Sequence, residues 1–190
     1  MNNSIKNNLR KQMKIMRNNL NNEYIIDSAK KICNTIQNLP QYQQAQNIAL
    51  YYAIPGEISL YSIWHAALRI KKSCYFPVLT NDKNLLFLQA NLTTIMHTNC
   101  YNIMEPDKSS NSIELQNLDI IFLPLLAFDT HGTRLGMGSG YYDQTLSKNH
   151  KALLIGVAYD FQLQPDIIPN TWDIPLNIII TPNNIYWITS

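Results

Sequence analysis

The chain has 190 residues, of which 46% are hydrophobic and 15% charged, with a formal net charge of +2. That is long enough for one domain with a substantial core, and the charge balance gives no strong argument for a polyanionic partner. Cys33, Cys74 and Cys100 are widely spaced with no Cys-x-x-Cys pair, which speaks against a disulfide framework or a zinc knuckle. The early residues lack an apolar h-region, and the longest apolar stretch, 118–128, is short and contains Pro124, so neither an export signal nor a membrane span is predicted. The expected location is the cytoplasm.

From Ser4, a plausible N-cap, the residues Ile5, Leu9, Met13, Met16 and Leu20 recur at helical spacing and predict an amphipathic helix. Lys and Arg concentrate between Lys6 and Lys31. A solvated helix face is favoured there over a nucleic-acid contact, because aromatic residues are not interleaved with the charges. A second helix carries Ile25, Ile26, Ala29, Ile32, Cys33, Ile36 and Leu39 and stops before Pro40, giving an N-terminal helical hairpin. The apolar run 48–54, closed by Pro55-Gly56, reads as a buried strand. A helix on Leu60, Ile63, Trp64, Ala67 and Leu68 and a strand at 74–78 complete a β-α-β unit.

The segment 79–118 predicts a short strand at 85–88, a helix near 92–96 and polar loops at 107–112. A strand at 118–124 then delivers the chain into a glycine loop, followed by a helix at 141–148 and strands at 153–159, 178–181 and 185–188. Buried strands alternating with helices give an α/β class: a single domain over residues 1–190, with a mostly parallel sheet and helices on both faces.

Four of the six glycines fall within nine residues, Gly132-Thr133-Arg134-Leu135-Gly136-Met137-Gly138-Ser139-Gly140, which pass directly into Tyr141-Tyr142-Asp143. A chain so sparing with glycine places them together where the backbone takes positive φ or approaches a ligand closely. Gly-Lys-Ser/Thr is absent, and the dinucleotide fingerprint would need glycine at Tyr141, so neither common phosphate motif is present. Arg134 can nonetheless bind phosphate oxygens, and Asp143 can hold Mg²⁺. Phosphate binding is therefore preferred to a simple tight connection. The histidines His65, His97, His131 and His150 form no catalytic set, although His131 adjoins the loop.

The run Leu123-Pro124-Leu125-Leu126-Ala127-Phe128-Asp129, with the glycine loop through Asp143, strongly resembles the signature of the 5-formyltetrahydrofolate cyclo-ligase (methenyltetrahydrofolate synthetase) family. Lys6-x-x-Leu9-Arg10, Ile103-Met104-Glu105-Pro106, Ile155-Gly156-Val157-Ala158-Tyr159 with Gln162, and Trp172-Asp173 ahead of 178–181 extend the likeness over nearly the whole chain. The resemblance implies a three-layer fold similar to the NagB/RpiA/CoA-transferase group. It also implies cyclisation of 5-formyltetrahydrofolate to 5,10-methenyltetrahydrofolate, with ATP as co-substrate and Mg²⁺ as cofactor, giving ADP and phosphate.

On that resemblance Arg134, Tyr142 and Asp143 are catalytic. ATP is bound by Lys6, Arg10, Arg134, Leu135, Gly136, Met137, Gly138, Ser139, Gly140, Tyr141 and Tyr142. Ile54, Glu57 and Tyr142 contact folate, and Asp143 and Asp173 hold metal. Each has a plainer alternative: a core tyrosine at Tyr142, an exposed helix-start acid at Glu57, a turn or capping acid at Asp173. The chain departs from the family pattern at Ser59, Leu60, Ser139 and Asn177. The partners implied are a reduced folate and ATP, without nucleic acid or membrane, acting on a monomer. Competing possibilities are another phosphoryl-transfer enzyme on the same scaffold and a non-catalytic folate- or nucleotide-binding protein.

Overall fold

Strand order, more than helix content, determines where a ligand can sit in this chain. The structure, a computed structural model, describes residues 3–148 and 150–188. The helices are α1 (Asn3–Asn18), α2 (Asn22–Asn38), α3 (Pro40–Gln44), α4 (Tyr61–Arg69) and α5 (Tyr141–Leu146). The strands are β1 (Asn47–Ala49), β2 (Ser73–Leu79), β3 (Leu85–Gln89), β4 (Met96–Thr98), β5 (Met104–Pro106), β6 (Ser112–Ile113), β7 (Ile120–Pro124), β8 (Ala127–Phe128), β9 (Arg134–Leu135), β10 (Leu153–Val157), β11 (Ile178–Ile180) and β12 (Ile185–Trp187).

Eight strands form one sheet in the order β12-β11-β10-β7-β1-β2-β3-β6. The five from β11 to β2 are parallel, and β12, β3 and β6 add antiparallel edges. Strand residues alternate between two apolar layers, as expected for a sheet covered on both sides. Ile48, Cys74, Phe76, Phe122 and Ile155 face the layer of α2 and α4, while Ala49, Tyr75, Ile121, Leu123 and Leu154 face the layer holding Leu146 of α5. The predicted α/β class with a mostly parallel sheet and helices on both faces is what the chain adopts. Among the described residues no helix is long and apolar enough to cross a membrane.

Several elements differ from the sequence prediction. β1 ends at Ala49 rather than at 54, because Tyr51 donates its hydroxyl to the Ile58 carbonyl at 2.7 Å and folds the chain into a loop. The run was apolar because it is buried, not because it is all strand. No helix forms near 92–96: Asn91 accepts from the Thr93 amide and hydroxyl, making a turn, and the chain continues as β4. β7 does not feed the glycine loop directly: β8 intervenes, and the first residues of the loop form the tip and second strand of the β8–β9 hairpin.

The two N-terminal helices are present, joined at residues 19–21, with Asn21 as the N-cap of α2. They diverge: α1 packs on β8, and α2 packs on α4 and β11. Ser4 lies within the first turn of α1 rather than capping it. The predicted apolar stripe is only partly inward, since Ile5 and Met16 are exposed while Lys6, Met13 and Arg17 are buried. The N-terminal cations are therefore not simply a solvated face.

β1 is followed by a helix on one layer, and its neighbour β7 leads to a helix on the other. Connections that part in this way leave a crevice at the carboxyl ends of the strands, the usual ligand position in an open α/β sheet.

Candidate functional site

After β1 the chain forms one wall of a cleft of about 390 Å³, lined by residues 51–57 together with Ser59, Leu60, Tyr61, Trp64 and Phe76. The Pro55-Gly56 turn gives Gly56 a φ of +82°, and a Cβ there would lie 3.2 Å from the Arg17 Cβ, so only glycine lets the loop meet α1. Trp64 stands edge-on to Phe76 at 4.9 Å and to Tyr61 at 6.1 Å, and its indole N–H donates to the Ala90 carbonyl. The wall is thus rich in aromatic rings with some polar surface, which suits a planar heterocycle.

Glu57 is the acid of this cleft. Its side chain is 8% exposed, which overturns the exposed helix-start alternative. Oε2 accepts from the Ile54 amide at 3.1 Å, and Oε1 is 3.5 Å from an Arg17 terminal nitrogen. Burial pushes the carboxyl up from its ordinary range, against the pull of Arg17 and the Ile54 N–H. Ile54 lines the same cleft, so two of the three predicted folate residues are brought together by a hydrogen-bonded turn, while Tyr142 is not part of its lining.

The glycine loop begins where β9 returns from its hairpin. The tip of that hairpin is closed by the buried Asp129 carboxylate, which accepts from the amides of His131, Thr133 and Ile167. Residues 137–140 are exposed, and none of the amides of residues 136–140 donates a hydrogen bond among the described residues. Gly138 has φ +104° and Gly140 has φ +77° at the start of α5. Arg10 donates from Nε to the Gly136 carbonyl at 2.9 Å, and its guanidinium lies against Gly138. Five unengaged amides beside a cation are what a phosphate group needs.

Arg134 is buried and its cation is already partnered. Nη2 donates to Asp143 Oδ1 at 2.6 Å, and Nη1 donates to the Ile174 carbonyl. Asp143 Oδ1 also accepts from the Ile174 amide, so the pair ties the glycine hairpin and α5 to the segment before β11. In that segment Asp173 accepts from the Asn170 amide and side chain, which is the turn-capping role, and its Oδ2 lies 3.5 Å from the buried Lys6 ammonium.

Asp143 and Asp173 offer hard carboxylate oxygens beside the glycine loop, the donor type that suits Mg²⁺ bound jointly with phosphates. Asp143 Oδ2 accepts no hydrogen bond among the described residues. The one cluster of three metal-type ligands among the described residues is elsewhere, at Asp129, His131 and Asp166, where Asp129 is already bonded by three amides.

Tyr142 lies in the first turn of α5, just after the glycine loop, and is close enough to Glu57 to feel its charge. It is half-buried on α5, and its phenol is pushed up by burial and then by the Glu57 carboxylate, while Arg134 opposes. Tyr141 meets Tyr101 of the β4–β5 turn edge-on at 6.3 Å. Asn177, one of the departures from the family pattern, accepts from the Leu154 amide and joins β10 to the approach to β11, a structural task.

Sequence reasoning missed Arg17 and the aromatic wall of Tyr52, Tyr61, Trp64 and Phe76. The aromatic density of residues 51–64 was the available signal for the wall. Arg17 gave none, because nothing near it in sequence reveals that it is buried.

The model of the 5-formyltetrahydrofolate cyclo-ligase family matches residues 2–182. A 5-formyltetrahydrofolate cyclo-ligase of Haemophilus influenzae is 41% identical over 144 residues, covering 73% of this chain and 77% of that protein. One from Mycoplasma genitalium is 33% identical over 92% of this chain and 96% of its own length. The solution structure of an Aquifex aeolicus 5,10-methenyltetrahydrofolate synthetase superposes with a TM-score of 0.87 at 30% identity, covering 98% of this chain and 94% of that one.

Proposed function

The chain belongs to the 5-formyltetrahydrofolate cyclo-ligase family, and from that premise we propose that it closes 5-formyltetrahydrofolate to 5,10-methenyltetrahydrofolate while converting ATP to ADP and phosphate. The observation that carries this reading is an aromatic, acid-bearing cleft together with an exposed loop of unengaged amides that leads into α5, whose Tyr142 is close enough to Glu57 to feel its charge.

The chemistry explains why both are needed. Oxide is a poor leaving group from a formamide, so the γ-phosphoryl of ATP is first transferred to the formyl oxygen. N10 then attacks the formyl carbon, the C–O bond breaks, and phosphate departs with that oxygen as N10 loses its proton. Such transfer asks a protein mainly for placement and charge neutralisation.

In this reading the cleft stacks the pterin against Trp64 and its neighbours, and Glu57 accepts hydrogen bonds from the ring's N–H groups. The amides of residues 136–140 receive the triphosphate, with Arg10 and Lys6 adding charge from α1. Arg134 holds Asp143 in place and supplies charge beneath the loop. Tyr142, kept protonated by its surroundings, donates a hydrogen bond at the junction rather than removing a proton. Magnesium held by Asp143 and Asp173 would offset charge on the phosphates.

The test is to mix purified protein with 5-formyltetrahydrofolate, ATP and Mg²⁺ and follow the methenyl chromophore, leaving out each component in turn. Product should require all three. Product without ATP, or none with the full mixture, overturns the proposal.

A further inference from the structure

The polar groups around Glu57 are unevenly satisfied. Arg17 projects from the inner face of α1 and is 4% exposed, yet it reaches Glu57 through a single terminal nitrogen at the long distance of 3.5 Å. Among the described residues its Nε has no hydrogen-bond partner, and neither does the hydroxyl of Tyr159, which is 1% exposed. Groups as buried as these are normally paired, and leaving them open is costly unless something arrives to engage them. Arg17 is also tied in place from behind, since the Gly56 turn of the cleft loop rests on its Cβ. It therefore has a fixed position, one carboxylate partner and a spare donor, all behind the cleft wall.

We propose that Arg17 is a positioning residue for folate: it fixes the direction and the charge of Glu57, so that the carboxylate faces the cleft as an acceptor. This rests on the assignment of Glu57 to folate binding, and extends it to a residue that touches the substrate only through its partner. The groups that face Glu57 are Arg17 from α1, Tyr51 beyond β1, Tyr142 from α5 and Tyr159 beyond β10, and of these only Arg17 is cationic. Burial pushes the Glu57 carboxyl up while Arg17 holds it down. Without Arg17 the carboxyl rises further, takes up a proton as pH falls, and ceases to be a pure acceptor.

The experiment compares wild type, R17K, R17M, E57Q and the double variant R17M/E57Q. It measures the Kd for 5-formyltetrahydrofolate by calorimetry, the KM for ATP, and the melting temperature of each protein. R17M should bind folate roughly 30-fold more weakly, with KM for ATP within about twofold of wild type. Its folate affinity should fall as pH is lowered, and should do so at higher pH than in wild type. R17K should restore the wild-type pH profile, since it keeps the charge but not the planar fork. In the E57Q background R17M should add little.

A full R17M penalty on top of E57Q, or wild-type folate affinity in R17M alongside weak binding in E57Q, overturns the positioning role while leaving Glu57 on folate. Wild-type folate affinity in E57Q removes the Glu57 assignment itself, and this inference with it. If R17M does not fold, R17Q, which keeps most of the stem against Gly56, takes its place with the same expected outcomes.

Discussion

Arg134 and Asp143 are bonded to each other at 2.6 Å, nine residues apart across the glycine loop. The loop is thus pinned at both ends by one charge pair before any ligand is present, and Ile174 is bonded to both partners. Pre-organised charge of this kind contributes most where negative charge develops during a reaction.

Removing either partner should stop catalysis, with unequal effects on folding. Asp143→Asn keeps the shape and an acceptor for Arg134, so kcat should fall by at least about 100-fold with a nearly unchanged melting temperature. Arg134→Ala leaves the Ile174 carbonyl and the Asp143 carboxylate without their donor. It should lose activity to the same degree and also about 1–3 kcal/mol of stability. Steady-state rates and chemical denaturation measure the two effects, and a near-normal rate in either variant would contradict the assigned roles.

The glycines should separate into two kinds. Gly138 and Gly140 have positive φ, so alanine at either should cost about 1–2 kcal/mol of stability. Gly136 has neither a positive φ nor any atom within 4 Å of where its Cβ would be. Gly136→Ala should therefore fold like wild type and reveal its effect only in a raised KM for ATP, about tenfold where phosphate approaches the loop backbone closely. An unchanged KM for ATP would show that the triphosphate does not lie there.

Tyr142 is pushed up by burial and by Glu57, so its phenol remains protonated across the working range. The pH profile of kcat should then have no limb belonging to it, and Tyr142→Phe should show the same profile as wild type. Loss of the hydroxyl should lower kcat/KM for folate by about tenfold, the effect of one hydrogen bond. A basic limb present in wild type and missing from Tyr142→Phe would instead make it a base.

Glu57 should leave a signature in stability. Its carboxyl is raised from an ordinary value of 4.5, burial being the main cause. A group raised on folding contributes stability that is complete below its unfolded value and lost as pH rises through the folded one. Denaturation of the ligand-free protein at a series of pH values should show wild type losing ground against Glu57→Gln over that interval. A constant difference between the two would mean that the carboxyl titrates alike in both states.

Much of the fold could be read from local pattern. The runs at 74–78, 118–124 and 178–181 are apolar without alternation because both faces of the sheet are covered, and that condition is visible in sequence. The glycine loop was legible for a similar reason, since glycines are few and their crowding has one backbone meaning. The inner face of α1 was not. Helical periodicity assigns Ile5 and Met16 inward, but the carboxylates of Asp173 and Glu57 and the Gly136 carbonyl stabilise Lys6, Arg17 and Arg10 on that face instead. Those partners are distant in sequence, and no window along the chain contains both sides of such a contact.

The same three contacts bear on the order in which the protein becomes active. Arg17 is synthesised 40 residues ahead of Glu57 and Arg10 126 ahead of Gly136. On the ribosome α1 has its charges in water, and Leu9 and Met13 are the side chains that later pack with Leu126, Ala127, Leu135 and Ile167. The candidate site is consequently a late product of folding, assembled when an early-made helix closes over groups made after it.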